Sequence, residues 1–152
     1  MTSVVSRRFH LILDAFDCKK GLGDESFILK MIDEIVHLLD MKIIKGPVVA
    51  NLPEVGNPDI TAFAIINFSH ISIHTFTSEN KFYLDIFSCK SFDYLKLKDY
   101  IKGVFELNES QIFITSLEEP APSEQEPMGN VYKVNVVQHK HVQSPMGERM
   151  SE

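Results

Sequence analysis

The stretch that decides the fold is ITAFAIINFSHISIHT, residues 60–75. Its first part is a continuous run of mostly apolar residues, and its second part alternates apolar with polar residues. A short apolar run is typical of a buried strand, and alternation is typical of a half-buried one. The stretch therefore predicts two strands joined by a tight reversal. A third strand-like run, KFYLDIFS at 81–88, follows and is closed by Cys89.

The rest of the chain supplies two helices and further strands. The patterns predict a strand over 8–16, an amphipathic helix over about 25–40 after the N-cap Asp24, a strand from Lys42 to Leu52 interrupted at Gly46-Pro47, a helix over about 94–106 after Asp93, and a short strand at 112–114. This order, β-α-β-β-β-α-β, predicts an α+β fold. We expect a two-layer sandwich with helices on one face of a mostly antiparallel sheet.

Domain organisation follows from length and composition. A chain of 152 residues is expected to form one domain with a real core, which we place at residues 1–117. Residues 118–130 are acidic and rich in proline, which is typical of a linker. Residues 131–152 are expected to add an edge strand near Val131 to Val137 and then a loose tail.

Composition and charge exclude several classes of partner. A net charge of −6 argues against nucleic acid, which needs a basic surface. No apolar run approaches the length of a membrane span, and residues 1–15 lack the apolar core of a signal peptide. We therefore expect no membrane partner and a cytoplasmic protein. Cys18 and Cys89 are too few for a disulfide framework or a metal cluster, so we expect free thiols and no metal.

Three side chains near the reversal have the chemistry for an acyl rearrangement. Ser69 stands at a strand junction, His74 follows on the same strand, and Cys89 ends the next strand. The spacing of these three residues is, by itself, only weak evidence for a catalytic site. A serine at a turn, a histidine on a strand and a buried cysteine usually have structural roles only.

A family resemblance gives the trio a specific meaning. The segments SHISIHT at 69–75 and DIFSC at 85–89, together with FHLILDAFDC at 9–18, resemble the small bacterial and archaeal S-adenosylmethionine decarboxylases. That family has Glu-Ser-His, three residues, His-Thr, and then Asp-aliphatic-Phe-Thr-Cys at the same separation. The resemblance covers about residues 8–117, and the two-layer fold of the family agrees with the predicted one.

The resemblance implies a proenzyme that makes its own cofactor. Self-cleavage between Phe68 and Ser69 would give a β chain of residues 1–68 and an α chain of residues 69–152. Ser69 would become a pyruvoyl group that forms a Schiff base with the substrate amine. His74 matches the histidine that assists processing, and Cys89 matches the thiol that returns a proton to the substrate carbon. Thr61 stands where the family has a serine that supports the processing intermediate.

The alternation of side-chain direction along a strand predicts how the site is assembled. Alternate residues point to opposite faces, so Ser69 and His74, which are five residues apart, should not meet within one chain. The resemblance implies active sites shared across a twofold dimer. We therefore expect a homodimer of αβ units with two shared sites.

Departures from the family pattern leave the substrate open. Phe68 replaces a glutamate before the cleaved serine, and Ser78, followed by Glu79, replaces the glutamate that holds the ribose hydroxyls. Asn51 aligns with the aromatic residue that stacks on adenine. By resemblance the substrate is S-adenosylmethionine and the pathway is polyamine (spermidine) biosynthesis.

Two alternatives stay open, one with another substrate and one of another functional class. The first alternative is a decarboxylase of L-ornithine or L-arginine, in which Glu79, Asp14 or Glu54 would meet the side-chain cation. The second is a protein without catalysis, either a regulatory relative or a ligand-binding module.

Overall fold

The computed structural model describes residues 6–52, 59–125, 127–128, 131–132 and 135–138. In chain order its helices and strands are β1 (Phe9–Ala15), α1 (Glu25–Leu38), β2 (Ile43–Leu52), β3 (Asp59–Ile66), β4 (Ser69–Phe76), β5 (Lys81–Ser88), α2 (Tyr94–Phe105), β6 (Ile112–Glu118), β7 (Pro127–Met128), β8 (Val131–Tyr132) and β9 (Asn135–Gln138). Glu54, parts of the predicted linker, and the tail beyond residue 138 lie outside the described residues.

One antiparallel sheet carries most of these strands. Its order is β2-β3-β4-β5-β1-β6-β9, and β7 and β8 form a separate pair. The predicted α+β class, with helices against a mostly antiparallel sheet, is confirmed. The described residues form four strands between α1 and α2, which matches the predicted segments at 42–52, 60–75 and 81–88, whereas the predicted order β-α-β-β-β-α-β counts only three there. The hairpin of β3 and β4, joined by the turn at Asn67 and Phe68, adds two strands to β2 and β5.

Side-chain caps fix where the two described helices begin. The Asp24 carboxylate accepts a hydrogen bond from the backbone N–H of Phe27 at 3.2 Å, which satisfies a free donor at the start of α1. Asp93 accepts from Leu95 N–H at 3.0 Å at the start of α2. Neither described helix is long and apolar enough to cross a bilayer.

The sheet has two different faces. On β4, Ile71, Ile73 and Thr75 are buried, whereas His70 is half-buried and His74 is exposed. The buried set packs in one core with the apolar sides of both helices, including Ile28, Ile32, Ile35, Leu97 and Ile101. The opposite side of the sheet, which we call the open face, carries His10, Ile12, Thr61, Phe63, His70, His74, Asp85, Phe87 and Phe113. On this face Ile12, Phe63 and Phe113 are 39%, 41% and 44% exposed.

Register places the predicted site residues on adjacent strands. In the β3–β4 pair Thr61 lies opposite His74, and Ile66 lies opposite Ser69. In the β4–β5 pair Ser69 lies opposite Ser88, the last residue before Cys89. The two ends of β4 therefore carry different groups, and each group is completed by a neighbouring strand.

Candidate active site

The first group, at the start of β4, consists of Phe68, Ser69 and Cys89, and we call it the cleavage half-site. The Ser69 Oγ and Cys89 Sγ atoms lie 3.5 Å apart. The backbone N–H of Cys89 donates a hydrogen bond of 2.9 Å to the carbonyl oxygen of Phe68. A nucleophilic hydroxyl, a thiol and a polarised carbonyl thus meet at one peptide bond.

The backbone of Ser69 is strained. Its φ of 153° lies in a region that residues with a Cβ rarely adopt, at an energy of about 1–3 kcal/mol. Strand pairing on both sides holds the residue in place, to Ile66 on β3 and to Ser88 on β5. Strain of this kind is concentrated at functional sites, because the surrounding structure must enforce it.

The second group, near the end of β4, consists of Thr61 and His74, and we call it the histidine half-site. The Thr61 Oγ1 and His74 Nδ1 atoms lie 3.1 Å apart across the β3–β4 pair. Both side chains are on the open face, and His74 is exposed. When Nδ1–H donates to the Thr61 hydroxyl, Nε2 carries the free lone pair and can accept a proton.

The structure does not bring the two half-sites together within one chain. Five residues of β4 separate Ser69 from His74, which corresponds to about 17 Å along a strand. Register also puts them on different faces, because Ser88 opposite Ser69 belongs to the buried side of β5 whereas His74 is on the open face. Within one chain the cleavage half-site and the histidine half-site are therefore separate in space.

The three tentative substrate-binding residues are also divided. Asn51 on β2 lies opposite Ile60 and donates from Nδ2 to the Glu25 carboxylate at 3.3 Å, so its side chain is on the helix side of the sheet. Ser78 and Glu79 lie in the 3-10 turn that follows β4, at the same end of the sheet as the histidine half-site.

Glu79 and Asp14 differ in how available their carboxylates are. The ammonium of Lys81 donates to the Glu79 carboxylate at 2.5 Å and also lies over the Phe76 and Tyr83 rings. This contact raises the pKa of Lys81 above its ordinary value, with the Glu79 hydrogen bond as the main cause. Burial raises the pKa of Asp14, and nearby Lys81 partly offsets the shift. Because Lys81 binds it, the Glu79 carboxylate is already paired, whereas no such hydrogen bond from the described residues holds the Asp14 carboxylate.

The sequence reasoning missed a polar cluster on the open face. By the sequence pattern alone, His70 and Asp85 are ordinary strand residues with no assigned role. In the structure His10 Nε2 lies 2.8 Å from one Asp85 oxygen and His70 Nε2 lies 3.7 Å from the other. The His70 ring stacks between Phe63 and Phe87, with centroid distances of 5.4 and 5.5 Å. The alternating patterns mark His10, His70 and Asp85 as polar positions of their strands. Only strand pairing shows that these three side chains converge.

Among the described residues, no group of three or more His, Cys, Asp or Glu side chains is arranged to hold a metal ion. The two cysteines are both free thiols, and they differ in exposure. Cys18 is 1% exposed, and burial raises its pKa to about 12. Cys89 is exposed and lies in the cleavage half-site.

This difference predicts selective alkylation of the native protein at pH 8. With a pKa of about 12 only about 10⁻⁴ of Cys18 is thiolate, the reactive form, so iodoacetamide should modify Cys89 alone. Peptide mass spectrometry should find the second adduct only after denaturation. A Cys89→Ser variant should take up no reagent while folded. Equal labelling of both cysteines in the native protein would contradict the structure.

The chain resembles known proteins over most of its length. A sequence model of the S-adenosylmethionine decarboxylase family matches residues 9–116. S-adenosylmethionine decarboxylase proenzymes of Clostridium botulinum are similar: that of strain Langeland is 32% identical over 96 residues (62% of this chain, 79% of the relative), and that of strain Loch Maree is 31% identical over 106 residues (68% and 88%). The crystal structure of the adenosylmethionine decarboxylase from Aquifex aeolicus has a similar fold, with a TM-score of 0.55 at 18% identity over 74% of this chain and 90% of that one.

Proposed function

Because this chain belongs to the S-adenosylmethionine decarboxylase family, we propose that it is a self-processing, pyruvoyl-dependent decarboxylase. Its cellular role would be in polyamine biosynthesis in the cytoplasm. The observation that carries the proposal is the geometry of the cleavage half-site. A strained Ser69 stands beside a carbonyl that already accepts a hydrogen bond from the Cys89 N–H at 2.9 Å.

The first step of processing is an acyl shift at Phe68. The Ser69 Oγ attacks the carbonyl carbon of Phe68, and negative charge develops on the carbonyl oxygen. The Cys89 N–H is aimed at that oxygen and can stabilise the charge as an oxyanion-hole donor. The C–N bond then breaks, the hydroxyl proton passes to the released amine of residue 69, and an ester joins Phe68 to the side-chain oxygen.

The second step cuts the chain by β-elimination. A base removes the Cα proton of residue 69, the Cβ–O bond breaks, and Phe68 leaves as a new carboxylate. His74 is suited to take this proton, because the Thr61 hydroxyl can hold Nδ1 and leave Nε2 free. The dehydroalanine at position 69 becomes an imine, and water converts it to the ketone with release of ammonia.

The residues around position 69 fit a pyruvoyl group. When present, its ketone would bind the substrate amine and accept the electrons released as carbon dioxide leaves. The Cys89 thiol, 3.5 Å from the Ser69 oxygen and exposed, is close enough to supply a proton to a substrate carbon held there. The half-site thus serves both processing and turnover.

Two chains are needed to complete such a site. The histidine half-site lies about 17 Å from Ser69 along β4, so His74 of a second chain must supply the base. The open face offers a surface for this association, with Ile12, Phe63 and Phe113 between 39% and 44% exposed. An exposed apolar area of this kind is typical of an interface. We propose an isologous homodimer with two shared sites.

S-adenosylmethionine is the substrate that family membership supports. One observation favours a second candidate, a basic amino acid such as L-ornithine or L-arginine. Ser78 has no carboxylate, and one oxygen of the Glu79 carboxylate is bound by Lys81, so this turn offers no unpaired carboxylate for ribose hydroxyls. Loss of such an acceptor weakens binding by about 1–3 kcal/mol. The same contact with Lys81 occupies Glu79 as a partner for a side-chain cation, which leaves Asp14 as the described candidate for that role.

Release of carbon dioxide from carboxyl-labelled substrates tests the proposal. We expect release from S-adenosylmethionine with the cleaved protein. Release from ornithine or arginine alone would assign the second candidate. Cleaved protein that releases carbon dioxide from none of the three would refute all three substrates, and an inert, uncut chain would identify a non-catalytic relative.

A further inference from the structure

Ser88 is a fully buried polar residue at the end of β5, directly opposite Ser69. Its hydroxyl donates to the carbonyl oxygen of Lys90 at 2.7 Å and accepts from the backbone N–H of Lys90 at 3.0 Å. One side chain therefore satisfies both polar groups of a residue two positions further along. The bend of the chain at Cys89 and Lys90 is closed around this hydroxyl.

The residue inside this bend is Cys89. Its N–H donates to the Phe68 carbonyl, and its thiol contacts the Ser69 hydroxyl. Both contacts require the backbone of Cys89 to stay in one position. The hydroxyl of Ser88 restrains it from the buried side, where water cannot substitute for a lost hydrogen bond.

The other restraints on the bend are weaker. The Lys90 ammonium lies 3.3 Å from the Asp40 carboxylate, 3.3 Å from the Asp40 backbone carbonyl oxygen and 5.2 Å from the centre of the Phe68 ring. The side chains of Lys90 and Asp40 are 37% and 98% exposed, and an exposed ion pair adds little because water and salt screen it. The Ser88 hydroxyl is therefore the main side-chain restraint on the backbone of this bend.

We propose that Ser88 is a positioning residue for self-cleavage, whose hydroxyl holds the Cys89 N–H on the carbonyl that Ser69 attacks. The inference rests on the proposed self-processing. Its effect falls on the acyl shift, the step in which charge develops on the Phe68 oxygen. Removal of an oxyanion-hole donor slows a reaction by about 10²–10³-fold, and displacement of one should give part of that. We expect the acyl shift to be slowed about 10–100-fold without the hydroxyl.

A matched pair of variants separates positioning from packing. Threonine and valine have nearly the same shape, so Ser88→Thr and Ser88→Val differ only in carrying a hydroxyl or a methyl group at the same position. Ser88→Ala tests the smaller side chain, and Ser116→Ala is the control for loss of a buried serine elsewhere, since Ser116 on β6 is 5% exposed.

The experiment follows cleavage of freshly refolded full-length chains by denaturing gel and intact mass. Wild type, Ser88→Thr and Ser116→Ala should cleave at similar rates, and Ser88→Val and Ser88→Ala about 10–100-fold more slowly. Thermal melting identifies any variant that fails to fold. If Ser88→Ala does not fold, the threonine and valine variants decide the question.

Hydroxylamine identifies the step that is affected, because it cuts an ester but not a peptide bond. A His74→Ala chain should accumulate the ester and be cut at once by hydroxylamine. A Ser88→Val chain should resist it, because the ester forms slowly. Folded Ser88→Val that cleaves as fast as Ser88→Thr would overturn this inference alone, as would immediate cutting of Ser88→Val by hydroxylamine. A wild-type chain that never cleaves would overturn the proposed function as well.

Discussion

A Ser69→Ala chain is expected to remain one uncut polypeptide, whereas the wild type should separate into residues 1–68 and 69–152. Alanine lacks the oxygen that attacks the Phe68 carbonyl, so neither the ester nor the ketone can form. Decarboxylation should fall by at least about 10⁴-fold, because the electron-accepting group is lost entirely. Intact mass spectrometry measures the cleavage, and carbon dioxide release measures the activity.

Mass analysis of the wild type makes this prediction specific. The fragment that begins at position 69 should lack a free amine and should carry a ketone that reacts with hydrazines. Ser116→Ala should cleave normally, since that serine lies on β6, outside both half-sites. An ordinary serine at the start of the second fragment, or a wild-type chain that stays intact, would disprove pyruvoyl formation.

The second large effect is recovery of cleavage in mixed dimers. A His74→Ala chain should process itself at least about 10²-fold more slowly, because the base for elimination is missing. Co-expression with Ser69→Ala should restore cleavage of the His74→Ala chain only. In such a pair, the intact Ser69 of one chain meets the intact His74 of the other, and the second site lacks both groups.

The physical reason for this recovery is the separation of the half-sites. Within one chain Ser69 and His74 are about 17 Å apart along β4 and belong to different faces. Differently tagged chains and intact mass would show which chain is cut. If mixed dimers remain uncut while the wild type cleaves, the sites are not shared. Normal cleavage of His74→Ala alone would instead remove His74 from the mechanism.

The fate of Glu79 illustrates the limit of sequence reasoning about specificity. Its position one place after Ser78 suggested a carboxylate for the substrate, either for ribose or for a side-chain cation. The structure shows this carboxylate bound to Lys81, whose ammonium also lies over two aromatic rings. Asn51, which aligns with an adenine-stacking residue, is directed to Glu25 on the helix side. Both contacts depend on the path of the chain in three dimensions.

The sequence by itself determined the fold class, the family and the faces of β4. Alternation has a period of two residues and is a local property, so Ile71 and Ile73 could be assigned to the core and His74 to the opposite face without a structure. The N-caps Asp24 and Asp93 could be found in the same way, because a capping side chain bonds its own helix.

Only the tertiary structure decided which residues meet. Hydrogen bonding between strands sets the register, and it placed Thr61 opposite His74 and Ser69 opposite Ser88. The convergence of His10 and His70 on Asp85 follows from that register. These contacts join residues on different strands, and a local pattern specifies the face of a side chain but not its neighbour on the next strand.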